Sequence, residues 1–142
     1  MAKRAGQIDL FTRRVRTPPP AKEFASHVMV ADTLKRWCRP TFRYTHIPNG
    51  ELREDATAAK LKRMGVQPGW PDFAIIGPPL GFYALEMKRR GEKLTDDQDA
   101  FRIYCESAGF PFKIAYSFGD ACLILASWGV LKVELDVLER KS

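Results

Sequence analysis

The chain has 142 residues, 45% hydrophobic and 28% charged, which fits one globular domain and is too short for two ordinary cores. Its 23 Lys and Arg against 17 Asp and Glu give a net charge of +6, a balance that suits a polyanionic partner such as nucleic acid. No apolar run reaches the ~18–20 residues of a membrane span, and the basic N-terminus lacks the apolar stretch of a secretory signal, so a soluble, cytoplasmic protein without membrane contact is expected.

Residues 1–20 read as a basic, flexible arm. Lys3, Arg4, Arg13, Arg14 and Arg16 precede Pro18-Pro19-Pro20, and three consecutive prolines continue neither a helix nor a central strand. Residues 21–142 are expected to form a single domain. It opens on a helix over about 21–38, with Phe24, Val28, Ala31 and Leu34 as an apolar stripe, and Arg39-Pro40 ends that helix. Phe42 to Ile47 reads as a strand broken by Pro48-Asn49-Gly50. A short helix over 56–64 is made basic by Lys60, Lys62 and Arg63 and stops at Gly65. Gln67-Pro68-Gly69-Trp70-Pro71 is a rigid turn.

Asp72 to Ile76 reads as a strand, Gly77 to Gly81 as a hairpin-like loop, and Phe82 to Lys88 as a second strand. A basic stretch, Lys88-Arg89-Arg90-Gly91-Glu92-Lys93, follows. Thr95-Asp96-Asp97-Gln98 has the form of a capping box. The helix it opens carries Phe101, Tyr104, Cys105 and Ala108 and closes at Gly109. Phe112 to Tyr116 is a strand and 119–128 a helix. The tail fits a strand through Leu131, Val133, Leu135 and Val137, or a helix through Leu131, Leu135 and Leu138. Cys38, Cys105 and Cys122 are odd in number and form no CxxC pair, so they read as reduced, buried thiols. The order of elements implies an α/β fold with a mixed sheet flanked by helices.

One grouping in this order carries chemistry. Side chains alternate along a strand, so Glu86 and Lys88 share a face with Phe82 and Ala84, while Tyr83, Leu85 and Met87 take the other. If the two strands pair antiparallel, Asp72 at the start of one meets Glu86 and Lys88 at the end of the other. Two carboxylates at one sheet edge can hold Mg²⁺, and a nearby ammonium can serve the attacking water or the charge that develops on a phosphate. An isolated Glu-x-Lys on a strand is usually a surface ion pair. His46 and Asn49 do not have the spacing of an HNH metal site, and His27 offers no obvious partner, so His46 reads as a strand-surface histidine.

Pro71-Asp72 followed by Glu86-Met87-Lys88 across a hairpin resembles the PD-(D/E)xK nuclease signature. The wider pattern is Gly65 to Asp72, Glu86-x-Lys88-Arg89, the Gly-Glu-Lys-Leu-Thr stretch and Gln98. It resembles the VRR-NUC family of that superfamily, in its small stand-alone phage and bacterial form, from about Glu23 to Trp128. The resemblance implies a restriction-endonuclease-like α-β-β-β-α-β core and a Mg²⁺-dependent DNA endonuclease, with Mn²⁺ as substitute. It further implies structure-specific cleavage of branched DNA like that of a Holliday junction resolvase, by a homodimer in a bacterial or phage-infected cell. A nicking or restriction-type nuclease on duplex DNA, or an inactive DNA-binding module of the same fold, are the alternatives. Asp72, Glu86, Lys88 and Gln98 are then the catalytic set, and Glu23 joins Asp72 and Glu86 on the metal. Asn49, Lys60, Lys62, Arg63, Arg89 and Arg90 face DNA. The capping box alone accounts for Gln98, and turn chemistry for Asn49. Met87 stands where Val or Ile is more usual but points away from the site. Trp70, large for its position, reads as a hydrophobic plug ahead of a base-stacking platform.

Overall fold

A computed structural model describes residues 21–48 and 55–132, without the side chains of residues 21–23. The arm over 1–20, Asn49 and Gly50, the tail from 133 onward and the Glu23 carboxylate therefore lie outside the described residues. The elements are α1 (Ala21–Trp37), β1 (Arg43–His46), α2 (Asp55–Arg63), β2 (Phe73–Gly77), β3 (Gly81–Met87), α3 (Asp96–Ala108), β4 (Phe112–Ala115) and α4 (Phe118–Ser127). Four strands form one sheet in the order β1-β2-β3-β4. The first three pair antiparallel and β4 joins β3 in parallel. The expected α-β-β-β-α-β core is present, with α2 inserted between its first two strands.

Both faces of β3 are covered, so five consecutive residues from Tyr83 to Met87 are buried. On one face Tyr83, Leu85 and Met87 join Phe73 and Ile75 of β2, Val30 and Leu34 of α1, and Ala121 and Leu125 of α4. Each fully buried Leu or Ile here stabilises the fold by roughly 1.5–3 kcal/mol. Ring contacts of Phe82 with Phe101 (centroids 6.3 Å apart) mark the opposite face, where α3 packs.

The stripe expected for α1 is corrected. Phe24 is 64% exposed and Val28 is also exposed, whereas Val30 and Leu34 are fully buried and Ala31 packs against the core. The inward face runs through Val30, Ala31 and Leu34, because the sheet and α4 meet the helix on that side. On α3 only Cys105 is fully buried, and Tyr104 is exposed. Leu131 is buried and bridges to Cys38, so the tail begins by closing the core of its own chain. The three cysteines are free; Cys105 and Cys122 are buried as expected and Cys38 only partly, and desolvation pushes each thiol above the usual range. Among the described residues no helix is long and apolar enough to cross a membrane.

Candidate active site

The hairpin places the two carboxylates. Phe73 pairs with Leu85 and Gly77 with Gly81, so one step beyond the ladder Asp72 stands opposite Glu86. Asp72 lies just before β2, where its side chain replaces a ladder bond: Oδ2 accepts the Met87 N–H at 2.8 Å. Its backbone carbonyl accepts the Ile47 N–H at 2.8 Å and lies 2.7 Å from His46 Nδ1. A carbonyl only accepts, so Nδ1 carries the proton of that ring. These bonds on both sides hold Asp72 between β1 and β3.

Glu86 is 2% exposed, the one charged side chain in the buried set among the described residues. Its Oε1 accepts from Gln98 Nε2 at 3.2 Å, while Oε2 is buried without a hydrogen-bond partner. Burial first, then the Asp72 charge, push its carboxyl up to about 9, against a lowering pull from Lys88. Lys88 follows β3 directly. Its backbone N–H donates to Ala115 O at 2.9 Å, and its side chain, 10% exposed, brings Nζ to 3.8 Å from Glu92 Oε2. Burial raises the Glu92 carboxyl, but hydrogen bonds from Arg89 and the Lys88 charge outweigh it and hold the group below the usual carboxylate range.

Helix α3 presents Gln98 by two bonds at once. The Thr95 side chain accepts from the Gln98 N–H at 3.2 Å and Gln98 Oε1 accepts from the Thr95 N–H at 2.9 Å, closing the capping box. The other end of the same amide donates to Glu86. The cap and the contact with the site, which sequence treats as rival explanations of Gln98, are two ends of one side chain.

The same helix end braces the turn that delivers Asp72. Gly69 has φ +88°, and a Cβ there would meet the Asp97 carbonyl oxygen at 2.4 Å, so only glycine lets the turn lie this close. Trp70 packs its ring 4.9 Å from Phe101 and 6.5 Å from Phe82 and stays 39% exposed. Pro71 is fully buried.

Two groups at the site carry no signal strong enough in sequence. His27 on α1 places Nε2, buried and without a hydrogen-bond partner, 3.8 Å from Asp72 Oδ2, and its ring packs on His46 and Phe73. His27 therefore does have a neighbour in the site. Glu92 is the second, and its i+4 spacing from Lys88 was the available hint. The remaining basic residues lie further out. Arg89 pairs with Glu92 at 3.0 Å and Arg90 is exposed. Lys60, Lys62 and Arg63 line the last turn of α2, which buries no residue. Among the described residues no hydrogen bond or ion pair joins α2 to Asp72, Glu86, Lys88 or Gln98.

The donor set fits a hard divalent cation. Glu86 has a buried carboxylate oxygen without a hydrogen-bond partner, and Asp72 supplies a second carboxylate beside it. Among the described residues no three His, Cys, Asp or Glu side chains form a complete metal cage.

The VRR-NUC domain family matches this chain over residues 25–119. A solved structure named VRR_NUC domain protein is similar with a TM-score of 0.62 and 20% identity, over 82% of this chain and all of that one. Comparison with curated proteins gives no match.

Proposed function

The chain belongs to the VRR-NUC domain family, a nuclease-type domain, and from that premise we propose that it is a metal-dependent endonuclease that hydrolyses DNA phosphodiesters. The observation that carries this reading is the facing pair Asp72 and Glu86, with the Glu86 carboxyl buried and Lys88 one residue past the end of β3. Leaving a carboxyl nearly inaccessible beside a second one is costly for a fold, and a bound cation relieves the cost. Asp72 and Glu86 would hold Mg²⁺, with Mn²⁺ as substitute, and Glu23 would support them. The cation supplies Lewis acidity at the phosphate and lowers the pKa of water.

The protein's own groups do the rest. Gln98 fixes the orientation of the Glu86 carboxyl through its Nε2–H. Glu92 holds the Lys88 ammonium near the reacting phosphate, where it orients the attacking water or offsets charge on the pentavalent transition state. Water attacks phosphorus in line, the P–O3′ bond breaks, and the products carry 5′-phosphate and 3′-hydroxyl ends. Arg89 and Arg90 beside the site, Lys60, Lys62 and Arg63 on α2, and Asn49 meet the DNA backbone.

Branched DNA is the proposed substrate and a two-fold homodimer the proposed active form. Symmetric cleavage of a junction needs two sites at a fixed separation, and one self-complementary surface provides that. Val28, Met29 and Trp37 on α1 are exposed, which makes this helix a candidate for the interface. A panel of end-labelled four-way junctions, flaps, single strands and duplexes, each with Mg²⁺, Mn²⁺ or EDTA, tests the reading. Cleavage with either metal and none in EDTA is expected, fastest on junctions. Cleavage that persists in EDTA would sink it.

A further inference from the structure

Beside the proposed active site lies an open recess of about 410 Å³ lined by Arg90, Gly91, Glu92, Lys93, Tyr116 and Asp120. Its place follows from the sheet. Strands β3 and β4 run parallel with Met87 opposite Ala115, so Lys88 and Tyr116 are neighbours where the two strands end. Glu92, paired with Lys88 at 3.8 Å, belongs both to the site and to the recess wall. The two acids of the recess are engaged locally. Glu92 accepts from Arg89, and Asp120 Oδ2 accepts the Tyr116 backbone N–H at 3.0 Å. Arg90 and Lys93 are exposed, and among the described residues neither forms an ion pair. Tyr116 is 41% exposed, and its ring packs on no other ring among the described residues.

An aromatic face with two uncommitted cations, one residue beyond the strand next to Lys88, matches the chemistry of an unpaired nucleotide. Its base needs a flat apolar partner and its phosphate needs cations. A base inside a duplex offers no free face. We propose that this recess binds an unstacked nucleotide flanking the scissile phosphate, with its base on Tyr116 and its phosphate between Arg90 and Lys93. The proposal rests on the nuclease reading above and adds that the branched substrate presents an unstacked nucleotide next to the cut.

Binding measured in EDTA separates this proposal from catalysis, since no strand is cut. Fluorescence anisotropy compares a labelled flap with a closed duplex of equal length, for the whole chain and its variants. Tyr116→Leu should weaken flap binding about tenfold and leave duplex binding nearly unchanged. Tyr116→Phe, which keeps the ring, should stay within about twofold. Tyr104→Leu removes another exposed tyrosine, on α3, and should change neither DNA. The double variant Arg90→Gln/Lys93→Gln should lower the salt slope on single strands by roughly 0.7 per charge removed. Equal loss on flap and duplex, no loss with Tyr116→Leu, or no DNA binding by the wild type would each overturn the recess as a nucleotide site. Cleavage assays decide the nuclease reading separately.

Discussion

Burial and then the Asp72 charge both penalise the Glu86 anion, which favours the protonated carboxyl in the metal-free protein. The pH dependence follows from the sign of that shift. The carboxyl titrates near 4.5 unfolded and is pushed up to about 9 in the fold, so its contribution to stability is complete below about 4.5 and is lost as pH rises through about 9. Glu86→Gln keeps the shape and removes the ionisation, so urea unfolding in EDTA should show a flatter loss of stability with rising pH than the wild type. An identical pH profile for the two proteins would contradict the burial argument. Adding Mg²⁺ near neutral pH should release a proton from the wild type and none from Glu86→Gln. Gln98 gives a second test at this scale, because its amide closes the cap with one end and donates to Glu86 with the other. Gln98→Glu preserves the capping-box acceptor but puts a third carboxylate against Glu86. Helix stability should change by less than about 1 kcal/mol while cleavage falls steeply. Thr95→Ala should do the reverse, costing about 1 kcal/mol in unfolding with cleavage largely kept.

Helix α3 organises the site, since its first two turns meet Gly69, Trp70 and Glu86 together. Gly69→Ala should therefore cost roughly 1–3 kcal/mol or more and reduce kcat, because the strained turn carries Asp72. Gly65→Ala also needs positive φ (+102°), but nothing lies within 4 Å of its Cβ. It should cost only about 1 kcal/mol and leave kcat unchanged. Equal effects of the two substitutions, by thermal unfolding and steady-state cleavage, would argue that the contact with Asp97 is irrelevant. These elements were legible in sequence where the signal is local. The capping box, the hairpin between Gly77 and Gly81, and the alternation that pairs Asp72 with Glu86 all lie within a few residues or one strand pair. The inward face of α1 was not legible, because Phe24, Val28, Val30 and Leu34 offer two overlapping apolar stripes and only tertiary packing chooses between them. His27 was missed for a related reason, since its neighbour Asp72 lies far along the chain.

Across the molecule, the +6 charge and the basic groups on α2 and after β3 favour contact with a polyanion. Affinity for duplex DNA should fall with a log–log salt slope of about −0.9 per phosphate contact, and replacing Arg89, which lies outside the recess lining, by Glu should weaken all DNA alike. Binding that does not respond to salt would remove the nucleic-acid account. Light scattering at micromolar concentration should give twice the chain mass, and Val28→Glu or Trp37→Glu on the outer side of α1 should return it to one chain. The nuclease account as a whole rests on the Asp72–Glu86 pair. Its most direct test is cleavage of a labelled junction by wild type, Asp72→Asn and Glu86→Gln in Mg²⁺, with the fold of each checked by circular dichroism. The account predicts metal-dependent cutting by the wild type and loss of turnover in both variants with the fold retained. Wild-type rates in both folded variants would contradict it.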